Sequence, residues 1–171
     1  MFTVRGATLK DCPGIARTQV DSYRTAYAGL FPQPYLNHFT YAEEEQDWRD
    51  LLSADLDDIL LVAASPEDQV LGYVLARAKP DSYPGYDAEV IALHVNRSQL
   101  GEGIGKGLLR SAVEQLIERK CQSVMLWTLK GNKVRTWYAQ LDGQLIDEKS
   151  QQVDDWVVYE VAYGCKDITH L

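Results

Sequence analysis

Four glycines at alternate positions, Gly101, Gly103, Gly105 and Gly107, constrain this 171-residue chain more than any other feature. They separate an apolar run, Glu89 to Val95, from a stretch in which Leu108, Leu109, Ala112, Val113, Leu116 and Ile117 recur at helical spacing. The first reads as a buried strand through Val90, Ile91, Leu93 and Val95, the second as a helix with one face on a sheet. Repeated glycine lets backbone amides approach a ligand closely. A helix that starts at the last of these glycines turns its positive dipole end toward that ligand. This strand–turn–helix is an anion cradle, of the kind used most often for phosphate.

Spacing decides among the phosphate motifs. A P-loop needs Gly-x-x-x-x-Gly-Lys-Ser/Thr, but Leu100 stands at its first glycine and Gly107 follows Lys106. A dinucleotide fingerprint needs Gly-x-Gly-x-x-Gly with an acidic residue ending the next strand. Here the third glycine comes too early, and the next strand, Ser123 to Leu129, has no carboxylate.

The rest of the chain supplies the frame. Phe2 to Ala7 reads as a strand, and Thr8 to Asp11 has capping-box spacing ahead of a helix running to about Tyr27. A loop with a short helical turn near Tyr35-Leu36 leads to a second helix, Tyr41 to Leu52. Ile59–Ala64 and Val70–Ala78 form a hairpin, followed by a loop from Lys79 to Asp87. The strand–helix–strand unit around the glycines requires a parallel, right-handed pair. Asn132 to Leu141 reads as a helix, and a last hairpin joins Gln144–Gln151 to Trp156–Tyr163, turning at Val153-Asp-Asp155. This order predicts an α/β (α+β) mixed sheet of about seven strands with helices on both faces, in a single domain spanning 1–171.

Composition narrows function. A formal net charge of −8 argues against nucleic-acid binding, which needs a basic face. No apolar run is long enough to span a membrane, and the amino terminus has no signal-peptide pattern. Three scattered cysteines and three scattered histidines suit neither a disulfide framework nor a metal site. They point to a cytoplasmic protein without a metal.

From Leu100 to Gly105 the sequence resembles Gln/Arg-x-x-Gly-x-Gly/Ala, the signature of the GNAT acetyltransferases, with Leu100 in the Gln/Arg position. Asn132 to Gly143 is similar to the Asn-x-x-x-x-Phe-Tyr-x-x-x-Gly-Gly pattern of one bacterial branch, with Asp142 replacing the first of the paired glycines. Glu160 to Gly164 resembles that branch's closing strand, and the element order is the family's own, so the resemblance spans the chain.

The resemblance implies the acyl-CoA N-acyltransferase fold and an acetyl-CoA-dependent enzyme acting on a primary amine of a small molecule or peptide, with no metal. It implies that Leu100, Gly101, Glu102, Gly103, Ile104, Gly105 and Lys106 hold the coenzyme's pyrophosphate. It implies also that a bulge parts two parallel strands so that the pantetheine arm pairs with backbone from Leu93 through His94 to Val95. The His94 side chain faces away from Leu93 and Val95 and reads as packing. Glu89 is the implied general base, with Tyr83, Tyr86 and Asp87 nearby as alternatives, and Tyr138 is the general acid. Asn132 either contacts the coenzyme or caps its own helix, and Lys106 is either a phosphate ligand or part of a solvated face. Tyr23, Tyr27, Trp48 and Tyr83 fall in the segments that form the family's acceptor pocket, where aromatic rings suit a cationic or apolar amine. Homodimers are common in the family. A coenzyme-binding sensor without turnover is the alternative reading.

Overall fold

In the computed structural model, which describes residues 1–54, 56–78 and 83–171, seven strands form one sheet with helices on both faces. The strands are β1 (Thr3–Gly6), β2 (Asp58–Ala64), β3 (Val70–Ala78), β4 (Ala88–Val95), β5 (Val124–Leu129), β6 (Gln144–Val153) and β7 (Trp156–Cys165). They lie in the order β1-β2-β3-β4-β5-β7-β6. Only β4 and β5 are parallel. They are the pair joined through helix α4 (Ile104–Glu118), as a crossover requires. The other helices are α1 (Cys12–Ala26), α2 (Gln33–Asn37), α3 (Tyr41–Ser53) and the short α5 (Arg135–Gln140).

Both faces of the central strands are buried, which is why β2 is an unbroken apolar run rather than an alternating one. Its Ile59, Leu61 and Ala63 join Ile104, Leu108, Ala112 and Leu116 of α4 in one core. Its Leu60 and Val62 join Ile15 and Ala16 of α1 and Trp48 of α3 in the other. The amino-terminal turn forms as its spacing predicts: the Thr8 N–H donates to Asp11 Oδ2 at 2.8 Å, and Arg5 donates both guanidinium nitrogens to the same carboxylate at 2.8 Å.

Four expectations need correction. Helix α4 starts at Ile104 rather than at Gly107, so only the first two glycines belong to the turn. Gly107 lies inside the helix because Phe2 packs there: a Cβ would sit 3.0 Å from the Phe2 ring. Ile91 is not buried, being 40% exposed as the extra residue of a bulge between Ala92↔Leu75 and Val90↔Ala76. Helix α5 is shorter than predicted, because the Asn132 side chain accepts from the Val134 N–H at 3.2 Å and holds the preceding segment as a turn. The last hairpin is longer, turning at Asp154-Asp155 with Asp154 left-handed at φ 51°. Of the loop predicted from Lys79 to Asp87, positions 79–82 lie outside the described residues.

Candidate active site

The bulge has a geometric consequence. Strands β4 and β5 pair only at Ala88↔Val124 and Glu89↔Met125. Beyond Glu89, β4 stays with β3 as far as Gly72↔Val95, while β5 follows β7 as far as Leu129↔Glu160. A gap therefore opens in the middle of the sheet, edged on one side by β4 backbone that has no β5 partner. Unpaired strand edges seek another extended chain. The vertex is fastened by Asp87, whose Oδ2 accepts from the Gln122 and Ser123 amides and from Ser123 Oγ. Those bonds hold its carboxyl below its ordinary range and occupy it structurally.

The glycine turn sits at the amino end of α4. Gly101 and Gly103 have φ of +87° and +78°, a left-handed backbone that favours glycine, and a Cβ at either would meet nothing within 4 Å. Among the described residues, the amides of Gly101, Gly103, Ile104, Gly105 and Lys106 donate to no protein acceptor; the helix's own ladder begins with Gly107 N–H to Gly103 O at 2.9 Å. Gly105 packs between Val95 and Trp137, with its Cβ position 3.7 Å and 4.0 Å from them, which brings the turn against the end of β4. Leu100, Glu102 and Lys106 are exposed, Leu100 at 64%, so these positions offer their backbone to the cradle while their side chains face solvent.

Tyr138 lies on α5 on the same face as α4. It is 8% exposed, packed against Trp137 and Tyr163, and burial pushes its phenol up to about 12. Asp142 replaces a glycine behind it without difficulty: its φ of +57° is a left-handed conformation that aspartate tolerates. Gly143 cannot vary in the same way, because a Cβ there would fall 2.7 Å from the Tyr138 carbonyl oxygen.

The opposite face carries the remaining predicted residues. Because Val90, Val124 and Leu126 belong to the α4-side core, Glu89, Met125 and Trp127 point the other way. Half-buried Glu89 stands at the vertex of the gap, across from Arg77 on β3 and Met125 on β5. Tyr23 and Tyr27 stack at 5.0 Å near the end of α1 and extend into a wall with Phe31, Tyr35 and Phe39. Burial raises the Tyr27 phenol, helped by Tyr23, by Tyr138 and by the Glu160 carboxylate. Tyr83 packs against Tyr86 and Trp127 and donates to the Ile146 carbonyl at 3.3 Å.

Two predicted residues lie deeper. Trp48 is a core residue, with its indole donating to Gln19 Oε1 at 2.7 Å and its ring against Tyr73. His94 is buried among Tyr23, Tyr27 and Tyr73, with Nδ1 2.8 Å from Ser22 Oγ, and burial lowers its imidazole to about 4. Its side chain is the neutral floor of the aromatic wall, facing away from Leu93 and Val95 as the strand period requires. Trp127, Lys149 and Glu160 were not predicted. The signal was available, since alternation from Glu89's partner Met125 puts Trp127 on the same face. A concavity of about 520 Å³ near Asp142, Asp167 and His170 contains none of these residues.

A model of the acetyltransferase (GNAT) family matches residues 20–141. Over all 171 residues the chain is similar, at 29% identity, to the uncharacterized N-acetyltransferase YuaI of Bacillus subtilis (strain 168), 96% of which is covered. Its fold is similar to that of the PaiA N-acetyltransferase of Thermoplasma acidophilum, solved in complex with coenzyme A. That match has a TM-score of 0.72 at 16% identity and covers 97% of this chain and 99% of the other. An N-acetyltransferase from Staphylococcus aureus Mu50 matches with a TM-score of 0.75 at 15% identity, over 99% of each chain.

Proposed function

The chain belongs to the acetyltransferase (GNAT) family, and we propose that it moves acetyl from acetyl-coenzyme A directly to a primary amine within a ternary complex. Membership makes it an acetyltransferase. The observation that carries the donor is the run of unpartnered amides at Gly101 and from Gly103 to Lys106, at a helix amino end beside an open strand edge. That arrangement suits a pyrophosphate joined to an extended, amide-bearing arm.

The chain's residues then divide the proton traffic. A protonated amine has a pKa of about 10 and no free lone pair, so a base must act first. Glu89, at the vertex on the acceptor face, takes that proton directly or through water. The amine nitrogen forms a bond to the thioester carbon, the carbon–sulfur bond breaks, and the departing sulfur receives a proton. Tyr138 is the donor: its raised phenol is fully protonated at neutral pH. A β4 amide facing the gap polarises the carbonyl. Asn132, whose side-chain oxygen is committed to the Val134 amide, acts by fixing the turn before α5. Tyr23, Tyr27 and Tyr83 line the acceptor's approach, with Trp48 supporting that wall from behind. The three buried cysteines, none in a disulfide, suit a reducing cytoplasm.

Calorimetric titration with acetyl-coenzyme A tests the reading. Micromolar binding, abolished in Gly103→Glu and followed by acetylation of amines from a broad panel, is the expected result. Binding without turnover of any amine would favour a coenzyme sensor. No binding by folded protein would overturn the proposal.

A further inference from the structure

Among the described residues one buried side-chain polar atom has no hydrogen-bond partner: Nε1 of Trp127. It belongs to the acceptor face. Trp127 lies two residues beyond Met125, the cross-strand partner of Glu89, where β4 and β5 have already parted. Its neighbour on β7 is the small Ala162, and the Tyr83 ring lies 6.4 Å from the indole, centroid to centroid. Above the ring lies Lys149 of β6, with Nζ 4.0 Å from the ring centroid. That ammonium carries three donors, and its ion-pair partner among the described residues, Glu160 Oε2, stands at 3.5 Å, beyond the length of a good charge-assisted bond. A buried indole N–H without an acceptor is costly, and an ammonium cannot supply one, since it only donates. The group that completes this corner is an oxygen acceptor, and beside a lysine it is an anionic one.

We propose, resting on the acetyl-transfer reading above, that the acceptor is a small aminocarboxylate whose carboxylate is held by Lys149 Nζ and Trp127 Nε1 while its amine meets Glu89. The two ends of the corner carry opposite charge, Glu89 at the vertex and Lys149 reaching over Trp127 of β5 from the edge strand β6, so a zwitterion is aligned by both. The carboxylate's two oxygens serve the two donors, and the aromatic wall of Tyr23, Tyr27 and Tyr83 flanks the side chain. The chain's net charge of −8 disfavours an anionic ligand at long range, so recognition depends on this local pair.

The experiment compares kcat/KM for amines offered with and without their carboxylate: tyrosine with tyramine, tryptophan with tryptamine, lysine with cadaverine. Wild type is expected to favour the aminocarboxylate member of at least one pair by about tenfold or more. Lys149→Met should erase most of that preference through KM, Trp127→Phe should reduce it severalfold, and Lys149→Arg should retain it. Acetyl-coenzyme A binding by calorimetry, unchanged in all three, separates these effects from misfolding. Equal or better use of the decarboxylated amines, or variants that slow both members of a pair alike, would overturn the inference while leaving acetyl transfer intact. If no amine of any pair is acetylated although acetyl-coenzyme A binds, the transfer reading falls, and this inference falls with it.

Discussion

Tyr138 differs from an ordinary core tyrosine in what surrounds it. It packs with Trp137 and Tyr163 on the α4 side, and Trp137 in turn reaches the glycine turn at Gly105. Its hydroxyl has no hydrogen-bond partner among the described residues, which leaves the proton available for transfer. Tyr138→Phe removes that proton while keeping the ring's packing. The expected result is a fall in kcat of about 10²-fold with little change in the KM for acetyl-coenzyme A. Because burial pushes the phenol up to about 12, the wild-type rate should show no decline on the alkaline side that belongs to Tyr138 below about pH 10. A stopped-assay pH profile of both proteins checks this, and a Tyr138→Phe enzyme with unaltered kcat would remove Tyr138 from the chemistry. The role of Trp127 was harder to read from sequence, because its distinguishing property is a missing hydrogen bond, which no local pattern records.

At the scale of elements, the glycine-rich turn was legible because its glycines repeat, but their shared spacing concealed two different jobs. Gly101 and Gly103 supply positive φ, whereas Gly105 and Gly107 supply closeness to Val95, Trp137 and Phe2. Only the partner across the packing interface distinguishes them, and that partner is distant in sequence. The same limit explains Ile91: its β-branched side chain suits a buried strand, and the bulge that exposes it is set by pairing with β3. Gly103→Ala and Gly107→Ala should therefore behave differently. The first strains the backbone by about 1 kcal/mol in open space and distorts the amide cradle. It should weaken acetyl-coenzyme A binding severalfold and, with that strain, lower the melting temperature by about 2–4 °C. The second presses on Phe2 at the opposite side of the helix. The helix propensity gained, about 0.5–1 kcal/mol, opposes the crowding of the Phe2 ring, so the net change in stability should be within about 1 kcal/mol, with binding nearly unchanged. Calorimetry and thermal melts on both variants separate the two roles; equal loss of binding would show that the glycines form one functional unit.

Across the whole molecule, two buried titrations set the response to acid, and their signs can be worked out from the structure. His94 sits among Tyr23, Tyr27 and Tyr73 beside the Ser22 hydroxyl, and burial lowers its imidazole from 6.5 to about 4. The unfolded chain takes up this proton as pH falls through 6.5 and the folded chain does not, so stability declines between about 6.5 and 4 and then levels. The cost over that interval is roughly 3 kcal/mol. Burial raises Asp11, but bonds from Arg5 and Thr8 outweigh it and bring the carboxyl from 3.8 down to about 2. That contribution is complete above the unfolded value and is lost as pH falls toward 2, removing roughly 2 kcal/mol more. Glu44 works in the opposite direction, since burial and its neighbours Asp47 and Glu43 raise it, and its protonation offsets part of the loss. Urea unfolding at pH 7, 4 and 2.5 should thus show two successive drops in wild type. His94→Gln should flatten the first interval and leave the second. Asp11→Asn should start lower at pH 7, because Arg5 loses its buried partner, and should shrink the second drop to what other lowered carboxyls such as Asp87 contribute. A first drop that survives in His94→Gln would assign it to groups outside the aromatic floor. In that case the neutral imidazole beneath the acceptor pocket would not limit how far the protein can be acidified.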